Sequence, residues 1–172
     1  MDSDIFVVMG VSGCGKSTVG EQLAEALKLP FLEGDVLHPE RNVARMAAGI
    51  ALNDEDREGW LLTLAERLRQ AQAAGQGLVL SCSALKRAYR DILRSGAPGL
   101  RLVYLHGDQA LLAARMAART GHFMPPSLLA SQLATLEPPG LDENVQDFDV
   151  GERPEDIVAA VLAGLHQAGN AS

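Results

Sequence analysis

The segment Gly10-Val11-Ser12-Gly13-Cys14-Gly15-Lys16-Ser17 constrains the fold more than any other part of the chain. It fits the pattern G-x-x-x-x-G-K-[ST]. Before it stands Ile5-Phe6-Val7-Val8-Met9, an apolar run stopped by glycine, which reads as a buried parallel strand. After it, Lys16 to Leu27 places Val19, Leu23, Ala24 and Leu27 on one helical face. A turn held between a strand and a helix in this way can wrap an anion. Its glycines let successive backbone N–H groups converge on phosphate oxygens, and the helix dipole points at the same charge. Lys16 is then expected to reach the β- and γ-phosphates and the Ser17 hydroxyl to ligate Mg²⁺. With Thr18 in the first helical turn, residues 10–18 form the candidate binding set for ATP and Mg²⁺, and Ser17 is the candidate metal ligand.

The rest of the chain repeats the alternation. Pro30 to Asp35, Leu78 to Ser81, Leu100 to Leu105 and Asn144 to Val150 read as further short strands. Between them, His38 to Gly49, Asp54 to Ala74, Leu85 to Arg94, Gln109 to Arg119 and Ser127 to Leu136 read as helices, and a last helix runs from Pro154 to about Gln167. Strands alternating with helices require a parallel sheet covered on both faces. The expected fold is three-layer α/β of the P-loop NTPase type: a single domain over residues 1–172, a five-stranded parallel sheet and a small lid at about 119–137.

With 172 residues and 47% hydrophobic content, the chain can bury a full core. No apolar run approaches a membrane span, and the N-terminus lacks the basic flank of a secretory signal, so a cytoplasmic protein without membrane partners is expected. Cys14 and Cys82 lack metal-ligand spacing and read as reduced thiols. A net charge of −7 argues against nucleic acid as a partner, because that affinity rests on many Lys and Arg contacts to phosphate.

Two other nucleotide-binding classes fit poorly. A GTP switch needs D-x-x-G after a strand and an N-K-x-D base reader. Asp56-Arg57-Glu58-Gly59 sits inside a helical pattern, and Asn144-Val145-Gln146-Asp147 lacks the lysine. A motor ATPase needs an apolar strand ending in Asp, whereas the third strand here continues Leu80-Ser81-Cys82-Ser83. Phosphoryl transfer to a small molecule remains.

In an open α/β sheet, ligands sit at the carboxyl ends of the strands. Asp35 lies at such an end, where a carboxylate can accept the proton of an attacking hydroxyl or hold Mg²⁺ through water; a plain helix cap is the alternative. His38, Arg41 and Asn42 follow it, although His38 could be a simple first-turn residue. Four blocks then resemble the gluconokinase family. They are Gly10 to Ser17; Gly34 to Asn42 with Asn53 to Leu61; Cys82 to Asp91; and His122-Phe123-Met124-Pro125 running into Leu128 to Gln132. One departure is Ala51, where the family more often has proline before Leu-x-Asp.

The resemblance implies a nucleoside-monophosphate-kinase-like fold, gluconate and ATP as substrates, 6-phosphogluconate as product, and a homodimer. It brings His122 into the substrate-binding set. Gluconate carries one carboxylate and several hydroxyls. Arg41, Lys86 and Arg90 are candidate donors to the carboxylate, with His38, Asn42 and Asp35 for the hydroxyls. Lys86 and Arg90, four apart, could instead be a solvated helix face. Arg115 and Arg119 lead into the break at Gly121, which in kinases of this fold is a lid. There they could neutralise charge on the transferring phosphoryl group. The loop Gly151 to Pro154 is expected to border the adenine. A shikimate- or nucleotide-type kinase of the same fold is the alternative.

Overall fold

A computed structural model describes residues 4–11, 13–50, 52–118 and 127–170; the side chains of 116–118, 127–128 and 166–170 are outside that description. Ser12, Ala51, Arg119 and His122 therefore lie outside the described residues. Five strands are present: β1 (Ile5–Met9), β2 (Phe31–Glu33), β3 (Leu78–Ser81), β4 (Arg101–His106) and β5 (Val145–Asp149). All pairings are parallel, in the order β2-β3-β1-β4-β5. Every residue of β1 and β3 is buried, which requires cover on both faces.

That cover comes from α1 (Lys16–Leu27), α2 (Glu40–Ala47), α3 (Asp54–Ala73), α4 (Arg87–Gly96), α5 (Gln109–Ala118), α6 (Ser127–Thr135) and α7 (Pro154–Asn170). α1 packs on α7, and α3 on α4. The α3–α4 approach is close enough that a Cβ at Gly96 would stand 2.1 Å from the Ala65 carbonyl oxygen. α3 starts cleanly because Asn53 and Asp56 form a capping box: the Asp56 amide donates to Asn53 Oδ1 at 2.7 Å and the Asn53 amide to Asp56 Oδ2 at 3.0 Å.

The sheet and its alternation follow the sequence expectation, and three element boundaries differ for identifiable reasons. The second strand ends at Glu33 and gives way to a 3-10 turn over Gly34–Leu37, so that Asp35 lies just beyond the strand. The next helix begins at Glu40 rather than His38. His38 precedes Pro39, and a residue before proline is steered away from the α region; both residues are extended here. Likewise α4 begins at Arg87 rather than Leu85. Ala84 sits at φ +45°, and the Leu85 carbonyl accepts from the Glu137 amide at 2.7 Å instead of opening a helix.

Candidate active site

The turn between β1 and α1 is built by backbone conformation. Gly10 adopts φ +151°, and a Cβ there would meet the Leu105 carbonyl oxygen at 2.6 Å. Gly13 and Gly15 also have positive φ, which leads the chain directly into α1. Lys16 folds back over this turn, its Nζ donating to the Val11 carbonyl oxygen at 3.2 Å. The Ser17 hydroxyl donates to one oxygen of Glu33, and the Ser81 hydroxyl donates to the other. Glu33 thus ties the start of α1 to the ends of β2 and β3.

A cavity of about 300 Å³ opens beside the turn, lined by Gly13, Gly15, Thr18, Arg115, Val150 and Pro154 among others. Its far wall is the loop between β5 and α7. Arg115 belongs to that wall through a 2.6 Å bond from Nη2 to the Val150 carbonyl oxygen.

Across the end of β3 lies a second polar group. Cys82 is buried, and burial pushes its thiol up to about 12 despite a backbone bond from Ala84; the charges of Asp35 and Glu33 add to the rise and that of Lys16 opposes it. The charges of all three side chains thus act on the end of β3, where the Ser17–Glu33–Ser81 hydrogen bonds bring the turn before α1 and the segment after β2 together. His38 stacks on Trp60 with ring centroids 3.9 Å apart. Burial, aided by the nearby Arg57 charge, lowers its pKa to about 4. The ring is therefore neutral near pH 7. Asn42, fully buried, sits 3.2 Å from His38 Nδ1 and donates at 2.9 Å to the Asp56 carbonyl oxygen. The second bond fixes the amide orientation, so Nδ1 accepts and Nε2 carries the proton. Trp60 in turn donates to the Gly34 carbonyl oxygen at 2.8 Å. A Cβ at Gly34 would stand 2.3 Å from the Ser81 carbonyl oxygen, so only glycine allows this approach to β3.

Cations from α3 and α4 complete the group. Arg57 Nη1 donates to the Tyr89 hydroxyl at 2.8 Å, the Tyr89 hydroxyl donates to Asp54, and Lys86 Nζ donates to Asp54 at 3.0 Å. Deeper in the protein, Arg90 is 1% exposed, clamped to Glu143 at 2.7 and 3.1 Å and to the Ala84 carbonyl oxygen at 2.9 Å. Arg94 also donates to Glu143, at 2.5 Å. Burial alone would raise the Glu143 pKa, but the bonds from Arg90, Arg94 and the Gly140 amide prevail and bring it down to about 2.

A family model described as an AAA domain matches residues 5–139. The gluconokinase of Gluconobacter oxydans is 49% identical over 163 residues, covering 95% of this chain and 91% of its own. The thermoresistant gluconokinase of Escherichia coli K12 is 44% identical over 162 residues, covering 94% and 93%. A solved gluconokinase structure from Sinorhizobium meliloti superposes with a TM-score of 0.85 at 52% identity, over 97% of this chain and 93% of that one. The chain belongs to the gluconokinase family.

The family frame leaves each expected residue to be located. Gly10, Val11, Gly13, Cys14, Gly15, Lys16, Ser17 and Thr18 line or shape the anion-binding turn. Asp35, His38 and Asn42 gather in the segment after β2, with Asn42 behind the His38 ring rather than at a surface. Arg41 is exposed on α2. Lys86 lies beside Tyr89, whereas Arg90 has Nε and both terminal nitrogens engaged by Glu143 and Ala84. Sequence reasoning passed over Glu33, Arg57, Tyr89 and Glu143. Glu33 had a usable signal, because it sits at the carboxyl end of a strand, the rule that selected Asp35. Arg57 and Tyr89 had none, since their partnership spans 32 residues.

Proposed function

We propose that the chain transfers the γ-phosphoryl group of ATP to a hydroxyl of gluconate, producing 6-phosphogluconate. The observation that supports this most directly is the pair of hydrogen bonds by which Glu33 ties Ser17 of the turn to Ser81 at the end of β3, with Gly34, next to Asp35, packed on the Ser81 carbonyl. A phosphate-binding turn and a base-bearing acceptor segment thereby meet at one carboxyl edge, in a chain whose relatives carry the gluconokinase name over nearly their full length. Lys16 stabilises charge on the phosphoryl group in flight. Asp35 accepts the proton of the attacking hydroxyl. Arg115, with Arg119 at the entrance to a lid spanning about 119–137, balances the charge that spreads over the equatorial oxygens.

Ser17 and Glu33 bring hard oxygen donors together, the donor chemistry that suits Mg²⁺. When bound, Mg²⁺ would supply charge neutralisation to the triphosphate as the phosphoryl group moves. In that state Ser17 would supply the direct ligand, while Glu33 would hold the hydration shell in place and keep its bond to Ser81. Arg41 and His122 are assigned to the acceptor pocket, and Arg90 is assigned to supporting it from behind. We further assign the protein to the cytoplasm as a homodimer. No helix among the described residues is long and apolar enough to cross a membrane.

A coupled ADP-release assay over sugar acids, neutral sugars, shikimate and nucleoside monophosphates tests the reading. Gluconate should give the highest kcat/KM. Faster turnover of glucose or shikimate would overturn the sugar-acid assignment and favour the alternative kinase reading.

A further inference from the structure

We propose that Arg57 and Lys86, both packed against Tyr89, form the subsite that binds the carboxylate of the acceptor, an inference that rests on the gluconate reading above. The Arg57 guanidinium carbon lies 5.3 Å from the Tyr89 ring centroid and Lys86 Nζ lies 5.7 Å from it. Each cation meets the electron-rich ring, and one hydrogen-bonded chain joins them, from Arg57 through the Tyr89 hydroxyl and Asp54 to Lys86.

Their existing partners do not consume them. Lys86 shares Asp54 with the Tyr89 hydroxyl, and the Asp54 side chain is 68% exposed. Arg57 makes no ion pair among the described residues and uses Nη1 on the Tyr89 hydroxyl, leaving Nε and Nη2 as donors. Together they carry three of the five N–H donors of the guanidinium fork that suits a planar carboxylate. Arg90 differs from Arg57 in this respect: it is the cation that sequence spacing paired with Lys86, yet it is buried and bound on both sides.

The position also fits a sugar acid. Arg57 is close enough to His38 to help keep that imidazole neutral, and His38 stacks on Trp60, which is bonded to the turn that carries Asp35. A path therefore runs from the proton-accepting carboxylate, past a neutral imidazole suited to hydroxyls, to a pair of cations. A linear polyol with its reacting hydroxyl at one end and a carboxylate at the other meets matching chemistry along that path.

The test compares gluconate with D-gluconamide, which keeps every hydroxyl and replaces the carboxylate with a neutral amide. The unmutated protein should prefer gluconate in kcat/KM by roughly a hundredfold. Arg57→Ala should cut that preference by roughly tenfold or more, through a higher KM for gluconate and with the KM for ATP nearly unchanged. Lys86→Met, just before α4 rather than within α3, should show the same acid-selective loss and keeps the test decisive if Arg57→Ala folds poorly. Arg57→Lys should recover part of the preference. Equal losses on gluconate and gluconamide in both variants, or an unchanged gluconate KM, would overturn the inference while leaving the gluconate reading intact. Failure of the unmutated protein to phosphorylate gluconate, with good turnover of another acceptor, would remove that reading and this subsite together.

Discussion

The two halves of the site are built by different means. On the proposed nucleotide side, positive-φ glycines and the amides they orient do most of the shaping, and the side chains assigned to it in that proposal are few: Lys16, Ser17 and Arg115. On the proposed acceptor side, side chains do most of the shaping, with the Gly34 and Asp56 carbonyls as anchors. His38, Asn42, Trp60, Arg57, Tyr89 and Asp54 hold one another through stacking and hydrogen bonds across three helices. The first design serves any nucleoside triphosphate, because every such ligand presents the same phosphates. The second can be retuned residue by residue, which is where selectivity among small acceptors must reside.

Substitutions can break this contrast. The largest effect should follow Lys16→Ala, which removes a charge from the transition state and should lower kcat about a thousandfold or more with the far-UV circular dichroism unchanged. Near-native turnover would show that the turn does not hold the reacting phosphate. Next is Glu143→Ala, which leaves Arg90 buried without its partner. Urea denaturation should report a loss of about 3–5 kcal/mol, whereas a loss below ~1 kcal/mol would mean that the pair does not support the acceptor side. Asp35→Asn should then reduce gluconate turnover by at least about a hundredfold while nucleotide binding, followed by calorimetry, stays close to native. Equal damage to both would merge the two halves that the comparison separates.

The smallest effect is a drift with pH. His38 takes a proton near 6.5 when unfolded but only at about 4 in the fold, so stability is full above 6.5 and falls as the pH drops toward 4. Glu143 is shifted from 4.5 to about 2, so its contribution is full above 4.5 and is lost as the pH falls toward 2. Melting temperatures of His38→Gln should lose the upper of these two windows and keep the lower one.

The same contrast explains what the sequence could show. The anion-binding turn was legible because its function depends on residues adjacent in the chain, where glycine spacing is visible. The parallel sheet was legible because β1 and β3 are uninterrupted apolar runs. Asp35 was reachable from its place near a strand end. Arg90 misled the spacing argument: it lies four residues from Lys86 on paper, but Lys86 precedes the first turn of α4 and Arg90 points into the protein toward Glu143, 53 residues away. A pairing across that distance leaves no local periodic trace. Arg57 and Tyr89 were hidden for the same reason.

Trp60 gives the acceptor side its own optical probe. It is the only tryptophan in the chain, so emission excited at the red edge of protein absorbance originates from one indole. That indole lies flat against His38, with 17° between the ring planes. Imidazolium quenches indole fluorescence more strongly than neutral imidazole does, so the emission intensity should trace the protonation of His38 as acid is added. Anything that lifts the two rings apart should change the same signal without a label or a coupled enzyme.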